Sequence, residues 1–192
     1  NIALLMIAKG NSKRLRNKNK LMYMRKPMFL WNIQKGLSIS SNFYFNSDDD
    51  EMIKIAKNKG LKIIKRDKKH LEPETPSRLI FKSCLEHMPK RVKGILHIQA
   101  NSPNLNIDLI KSAFYIMKNT KVEEILTCDE NYNQYGSLWG ITREKINSYN
   151  MNKNIHDRKI IKPDCYLLDK SIDIHTHKEF KKSLKFFKQQ VI

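Results

Sequence analysis

The sequence predicts a three-layer α/β/α fold built on a mostly parallel sheet. The first reason is that short apolar segments alternate along the chain with segments in which apolar residues recur at helical spacing. The second is that polar residues directly follow several of the apolar segments. A chain of 192 residues with 40% hydrophobic residues can form one substantial core. We therefore expect a single domain spanning residues 1–192.

The predicted strands are short apolar or β-branched segments bounded by polar residues. They lie at residues 2–7, 42–46, 61–65, 94–98, 124–128, 136–141 and 172–174. The predicted helices lie at residues 27–38, 50–58, 76–87, 107–118 and 177–188. Pro27 suits a first helical turn because its φ is fixed, and Gly60 suits a helix C-cap. The alternation predicts parallel strands joined by right-handed crossovers.

A small polar turn and a cluster of cations follow the first strand directly. Gly10, Asn11 and Ser12 can bend the backbone so that successive amides point at one anion. No acidic residue interrupts the chain from Lys9 to Lys26. The cations that could neutralise the anion are Lys9, Lys13, Arg14, Arg16 and Lys18. This pattern is typical of a triphosphate pocket, and the alternative is a basic surface loop after an edge strand.

Polar residues also follow the second, third and fourth predicted strands. They are residues 47–49, Arg66 and residues 99–103. In a parallel sheet, ligands bind beyond the carboxyl ends of the strands, where the strand order reverses. We therefore expect these polar residues to converge with the cationic loop.

The formal net charge of +18 raises the possibility of a nucleic-acid partner. The excess consists mostly of lysine spread along the whole chain, and no zinc knuckle, recognition helix or aromatic-interleaved basic strand accompanies it. Nucleic-acid binding is therefore the less favoured interpretation. The three cysteines lack metal-site spacing, and no apolar segment is long enough for a membrane span. These features predict a cytoplasmic protein with no membrane partner.

Four segments, in order along the chain, resemble motifs of the acylneuraminate cytidylyltransferases, also called CMP-sialic acid synthetases. They are AKGNSKRLRNKN, NSDDDEMIKIAKNKGLKIIKRD, IQANSPN and SIDIHTHKEF. The resemblance covers residues 2–118 and 165–188 well and residues 136–141 loosely. It implies a Rossmann-like nucleotidyltransferase fold and the transfer of CMP from CTP, with release of pyrophosphate, in surface glycan biosynthesis.

The resemblance also implies roles for individual residues. Lys18 and Asp173 correspond to catalytic positions, Lys18 at the α-phosphate and Asp173 as the first carboxylate of a metal pair. The second position of that pair is His175, and the implied cofactor is Mg²⁺, with Mn²⁺ as an alternative. The implied nucleotide-binding residues are Lys9, Gly10, Asn11, Ser12, Lys13, Asn19, Arg66, Ser77 and Gln99.

Several departures from the family pattern affect these expectations. Lys9 stands in place of an arginine and cannot reproduce a bidentate fork. His175 stands in place of an aspartate, so the imidazole either ligates the metal and favours Mn²⁺ or stays outside the metal's ligands. The span from Ser102 to Gly136 is short where the family has a long insertion that shapes the sugar site and the dimer. This predicts a smaller acceptor and a different or weaker association between copies.

The sequence leaves three functions open. The favoured one is a CTP-dependent cytidylyltransferase that acts on an acidic, nonulosonate-like sugar or a smaller anionic acceptor. The second is a member of the family that binds nucleotides with altered catalysis, as Lys9 and His175 suggest. The third is a basic nucleic-acid-binding domain.

Overall fold

The computed structural model describes residues 1–12, 14–72, 75–149 and 162–190, and it has the α/β architecture that the sequence predicts. The described strands of the chain are β1 Ile2–Ala8, β2 Met22–Tyr23, β3 Lys26–Pro27, β4 Phe43–Ser47, β5 Lys62–Lys65, β6 Gly94–Ile98, β7 Glu124–Cys128, β8 Gln134–Thr142 and β9 Cys165–Leu168. The described α-helices are α1 Met28–Leu37, α2 Asp50–Asn58, α3 Ser77–His87, α4 Ile107–Asn119, α5 Arg143–Ser148 and α6 His177–Gln190.

Seven of these strands form one mixed sheet in the order β5-β4-β1-β6-β8-β7-β9. Strands β5, β4, β1 and β6 are mutually parallel, as expected. Strand β8 runs antiparallel to both β6 and β7, whereas β9 is parallel to β7. The strand order reverses at β1, because β4 and β5 lie on one side of it and β6 on the other. Ligands of such sheets bind beside this position.

Two apolar clusters hold helices on the two faces of the sheet. On one face, Phe29 and Ile33 of α1, Met52 of α2 and Ile110 of α4 pack against the sheet. On the other face, the packing residues come from α3 and α5, and Phe81 of α3 is fully buried. Strands β1, β4 and β6 have helices on both faces, which explains why they are almost continuously apolar.

A third, smaller cluster joins the start of the chain to its C-terminal part. Tyr23 of β2 is fully buried beside Met28 and Ile174, and Phe180 of α6 packs edge-on against its ring. The Tyr23 hydroxyl lies 2.8 Å from the Ser183 Oγ of α6. This cluster therefore fixes the segment after the cationic loop against α6.

Side chains cap the N-termini of several helices. Asp49 begins α2 by accepting a hydrogen bond from the Met52 amide at 2.9 Å. Thr176 and Glu179 form a reciprocal cap at the start of α6, since each side chain accepts from the other residue's backbone amide, at 3.3 and 2.7 Å respectively. These caps fix the starts of α2 and α6.

Two details of the expected sheet are wrong. Residues 172–174 do not form a strand, although the Ile174 amide donates to the Asn101 carbonyl oxygen at 2.9 Å. Ile172 and Ile174 are apolar because they pack into the cluster around Tyr23 and not because they belong to the sheet ladder. The strand in this part of the chain is β9, which the sequence analysis did not predict. The antiparallel direction of β8 also departs from the expected crossover pattern.

Among the described residues, no helix combines the length and apolar composition required to cross a lipid bilayer. Cys84, Cys128 and Cys165 are all free thiols.

Replacing Gly36 tests the contact between α1 and β4. A Cβ atom at this position would lie closer than 3.0 Å to two ring carbons of Phe43, which is fully buried. Overpacking of this kind costs about 1–3 kcal/mol, whereas alanine is better than glycine in a helix by only about 1 kcal/mol. We therefore expect Gly36→Ala to lower the free energy of unfolding in urea. A Cβ at Gly136 meets nothing within 4 Å, so Gly136→Ala is the control, and equal stability of the two variants would contradict the packing argument.

Candidate functional site

A cavity of about 660 Å³ lies at the carboxyl ends of the parallel strands. Its walls come from the loop after β1, the end of β5, the start of α3, the strands β6 and β8, and the segment before α6. The lining residues that the sequence analysis proposed for the site are Lys9, Asn11, Ser12, Lys18, Asn19, Arg66, Ser77, Gln99, Asp173 and His175. The structure therefore brings together residues from both ends of the chain.

Gly10 is placed differently from the expectation. The Gly10 amide donates to Asp48 Oδ1 at 3.0 Å, so in this conformation it serves the protein and is not turned toward the cavity. The close approach requires glycine, because a Cβ there would lie 2.8 Å from the Asp49 Cβ. Lys13 lies outside the described residues.

Contacts within the chain fix the loop after β1 at both of its ends. The Asn19 side-chain nitrogen donates to the Lys9 carbonyl oxygen at 3.0 Å, and the Lys9 ammonium donates to the Leu71 carbonyl oxygen. Lys20 forms an ion pair with Asp49 at 2.9 Å. These contacts hold the loop against the residues that follow β4 and β5.

Helix α1 positions the loop after β6. The Asn32 side-chain nitrogen donates to the carbonyl oxygens of Gln99 and Ser102, each at 2.8 Å. Lys35 donates to the carbonyl oxygens of Pro103 and Leu105, each at 2.7 Å. The backbone of this loop is thereby fixed, and the side chain of Gln99 lines the cavity.

The carboxylate of Asp173 lies at the centre of a polar cluster. It accepts hydrogen bonds from the Gln99 side-chain nitrogen at 3.2 Å and from the Asn101 side-chain nitrogen. His175 Nε2 lies 2.7 Å from the same carboxylate. Although residues 172–174 are not a strand, Asp173 and His175 both line the cavity.

Two cations lie at the other nitrogen of His175. The Nδ1 atom is 3.1 Å from Arg14 Nη2 and 3.3 Å from Lys18 Nζ. Because both cations are donors only, we assign Nδ1 as the acceptor and Nε2–H as the donor to Asp173. The imidazole thus connects the Asp173 carboxylate to the cations of the loop after β1.

Burial lowers the pKa of Lys18 to about 8. The neighbouring Asp173 carboxylate opposes this change, and the Arg14 guanidinium adds to it. Lys18 is therefore a partly desolvated ammonium near neutral pH, and an anionic ligand would stabilise its charged form.

The opposite wall of the cavity contains Arg66 and Ser77. Arg66 is buried, and its Nε donates to Asn46 Oδ1 at 2.9 Å. Burial lowers the pKa of this guanidinium, and the Asp48 carboxylate opposes the change. Ser77 is the first residue of α3.

Several lining residues were not among those proposed from the sequence. They include Thr75, Arg78, His97, Gln134, Tyr135 and Trp139. A histidine inside the otherwise apolar strand Gly94–Ile98 was the one visible signal. The residues of β8 could not be placed at the cavity, because their position depends on antiparallel pairing with β6.

The described residues contain no group of three or more histidine, cysteine, aspartate or glutamate side chains that could hold a metal ion. Asp173 and His175 are therefore a two-residue set, and both nitrogens of His175 already face protein groups. Such a set fits an ion such as Mg²⁺, which takes few protein ligands and keeps several waters or phosphate oxygens.

Comparisons with known proteins agree with this architecture. Two pseudaminic acid cytidylyltransferases of Campylobacter jejuni subsp. jejuni, from serotypes O:2 and O:23/36, are 29% and 28% identical to this chain over 113 residues. Each alignment covers 56% of this chain and 49% of the relative. The matched part of the chain thus spans about half the length of these relatives.

Solved structures resemble nearly the whole chain. The structure of CMP:2-keto-3-deoxy-manno-octonic acid synthetase complexed with CTP has a TM-score of 0.76 and 10% identity, and the match covers 98% of this chain and 99% of that chain. The Rv0371c protein of Mycobacterium tuberculosis H37Rv, in complex with manganese, has a TM-score of 0.69 and 12% identity, with coverage of 96% and 98%. At these identities the similarity confirms the Rossmann-like nucleotidyltransferase fold. The cytidylyltransferase family model matches residues 3–185, and the chain therefore belongs to the cytidylyltransferase family.

Proposed function

We propose that this protein transfers CMP from CTP to an anionic acceptor and releases pyrophosphate. The observation that carries the proposal is the meeting of Lys18 and Arg14 with the Asp173–His175 pair in one cavity. Family membership supports the choice of a cytidylyl group.

The reaction requires a site that stabilises growing negative charge. An acceptor oxygen forms a bond to the α-phosphorus while the bond to the bridging oxygen breaks, so pyrophosphate leaves and the acceptor's proton passes to solvent. Negative charge increases on the leaving oxygens, and preorganised cations stabilise that charge most effectively where water is excluded. Lys18 is suited to this role because it is largely desolvated and its side chain is held beside His175.

The nucleoside is proposed to lie against the wall that contains Arg66, Ser77 and Gln99. Gln99 donates to Asp173 through its nitrogen, and its buried Oε1 has no partner among the described residues. An amide oxygen accepts hydrogen bonds, so it complements an exocyclic amino group such as that of cytosine. A base without such an amino group would leave this buried oxygen without a hydrogen bond and would therefore bind less tightly.

A divalent cation is proposed to be held by Asp173 together with triphosphate oxygens and waters. When bound, it would supply positive charge next to the phosphates. The structure of Rv0371c contains manganese, which concerns that protein alone. It is a reason to test both Mg²⁺ and Mn²⁺ with the present protein.

The proposed acceptor is an acidic sugar. The names of the similar proteins support this class, since they refer to pseudaminic acid and to 2-keto-3-deoxy-manno-octonic acid. A nonulosonate-like acid is therefore the first acceptor to test, followed by smaller acids, because the span from Ser102 to Gly136 is short. A nucleotide-binding role with altered catalysis remains the second candidate, since both nitrogens of His175 are engaged by protein groups.

Pyrophosphate release from CTP in the presence of pseudaminic acid or other acidic sugars tests the function directly. We expect Lys18→Ala to lower the turnover number by about a hundredfold or more, the scale observed when one preorganised charge stabiliser is removed. Lys118→Ala is the matched control, because it removes the same charge from an exposed position on α4. Equal turnover of the two variants at saturating CTP would exclude the proposed role of Lys18.

The lowered pKa of Lys18 predicts a pH dependence of anion binding. The ammonium is mostly charged below a pKa of about 8 and loses its proton as the pH rises through that value. Between pH 7.5 and pH 9, we expect the affinity for inorganic tripolyphosphate to fall by roughly fivefold to tenfold, since the charged fraction falls by about that factor. Isothermal titration calorimetry measures this change. Lys18→Arg keeps its charge over this range, so the fall in affinity should disappear, and its persistence would assign the fall to another group.

Exchanges at Asp173 and His175 separate their roles in metal use. We expect Asp173→Ala to abolish metal-dependent turnover, because it removes the carboxylate proposed to hold the ion. His175→Asp should preserve or raise turnover with Mg²⁺, since a carboxylate is a better ligand for Mg²⁺ than an imidazole and can still pair with Lys18 and Arg14. Turnover is compared with Mg²⁺ and with Mn²⁺, and circular dichroism checks the fold. A folded His175→Asp variant without Mg²⁺-supported turnover would show that the imidazole itself is required.

A further inference from the structure

His97 is a buried polar residue in the centre of the sheet. It lies on β6, its side chain is 5% exposed, and it lines the cavity. Neither of its ring nitrogens has a hydrogen-bond partner among the residues that the structure describes. The residues before and after it in β6 are apolar and buried.

The position of His97 in the sheet explains why it reaches the cavity. Side chains alternate along a strand, so Ile95, His97 and Gln99 share one side of β6 and its continuation. His97 therefore lies directly below Gln99. Its register partner on β8 is Trp139, which also lines the cavity. The Phe81 ring lies 5.0 Å from the imidazole and 5.3 Å from the Trp139 indole, measured between ring centroids.

This environment keeps the imidazole neutral. Burial, together with the nearby Arg66 guanidinium, lowers the pKa of His97 to about 3. A neutral imidazole has one donor and one acceptor nitrogen. Because it carries no charge, it is poorly suited to bind phosphate. The cations suited to that role, Lys18 and Arg14, lie instead beside His175.

An unpaired polar group in a core destabilises the folded protein relative to an apolar residue of similar size. Leucine would fit the apolar pattern of β6 better than histidine does. Polar residues that break a local pattern in this way are expected at functional sites. The unpaired nitrogens of His97 are therefore best explained by a ligand that completes their hydrogen bonds.

We propose that His97 contacts the bound nucleotide and forms a hydrogen bond with the edge of its base. The base would enter between α3 and the β6–β8 part of the sheet, where the aromatic rings of Phe81 and Trp139 provide flat apolar surroundings for the imidazole. This inference rests on the proposed nucleotide-binding function and adds a residue to that site.

The type of contact predicts how His97 affects specificity. None of the described residues fixes which ring nitrogen carries the proton, so the imidazole can either donate or accept. It can therefore pair with the amino group of cytosine or with the carbonyl group of uracil. His97 increases affinity for pyrimidine nucleotides in general, and discrimination between cytosine and uracil depends on Gln99 and Arg66.

Titration calorimetry of the full chain with CTP, UTP and inorganic tripolyphosphate tests this inference. We expect His97→Leu to weaken CTP and UTP binding by the same factor, about tenfold, the scale of one lost hydrogen bond in a buried site. The affinity for tripolyphosphate should change less than twofold, since that ligand has no base. The melting temperature of the ligand-free protein should stay equal or rise, because an unpaired buried polar group has been removed.

Two further variants serve as controls. Ile95→Val shortens a buried side chain on the same side of β6 that does not line the cavity. It should lower the melting temperature without changing nucleotide affinity. His97→Gln keeps a donor and an acceptor, so it should lose less CTP affinity than His97→Leu. If the leucine variant does not fold, the glutamine variant still allows the loss of CTP affinity to be compared with the change in tripolyphosphate affinity.

The outcomes distinguish this inference from the proposed function. If the wild-type protein binds CTP no more tightly than tripolyphosphate, the nucleotide-binding function and the role of His97 both fail. If the wild-type protein prefers CTP and the His97 variants keep the same CTP affinity, only the inference about His97 is wrong. Equal weakening of CTP and tripolyphosphate would also overturn it, since it would indicate a general loss of the site.

Discussion

The loop after β6 and the loop after β1 depend on the Asp173 carboxylate, in the segment before α6, for their relative positions. The loop after β6 contacts it through Gln99 and Asn101, which are 74 and 72 positions away in sequence. The cations of the loop after β1 contact it through His175, whose second nitrogen faces Lys18 and Arg14. Because two cations repel each other when their water is removed, they can stay close together only beside a group that accepts from both. The Asp173–His175 pair provides that group.

The cavity has charged groups at one wall and a neutral hydrogen-bonding group at its floor. At one wall, Lys18 is desolvated enough for its pKa to fall to about 8, and its charge is readily restored by an anion. At the floor, burial beside the Phe81 ring keeps His97 neutral. A ligand with an anionic tail and an uncharged, hydrogen-bonding ring matches both environments. In the absence of such a ligand, both groups reduce the stability of the fold, which is a common cost of a preorganised site.

The parallel half of the sheet was predictable because its strands are buried on both faces. The run at Ile2–Ala8 is apolar throughout and Gly94–Ile98 is apolar except for His97, and the polar loops after them indicated the cavity. The strand expected near Ile174 was wrong, because a period of two does not distinguish a paired strand from an extended segment that packs against Tyr23. Neither the place of Trp139 beside His97 nor the double contact of His175 could be predicted, since both depend on pairing between distant segments.

The contact between Tyr23 and Ser183 has a consequence for the order in which the protein assembles. These residues are 160 positions apart, and their contact holds the segment that follows the cationic loop against α6. At a synthesis rate of 5–20 residues per second, about ten to thirty seconds separate their appearance at the ribosome. During that interval, the loop after β1 has neither Asp173 nor α6 to hold it, and the apolar surface around Met28 stays uncovered. The site is therefore among the last parts of the molecule to form, and the growing chain exposes an apolar surface that chaperones can bind.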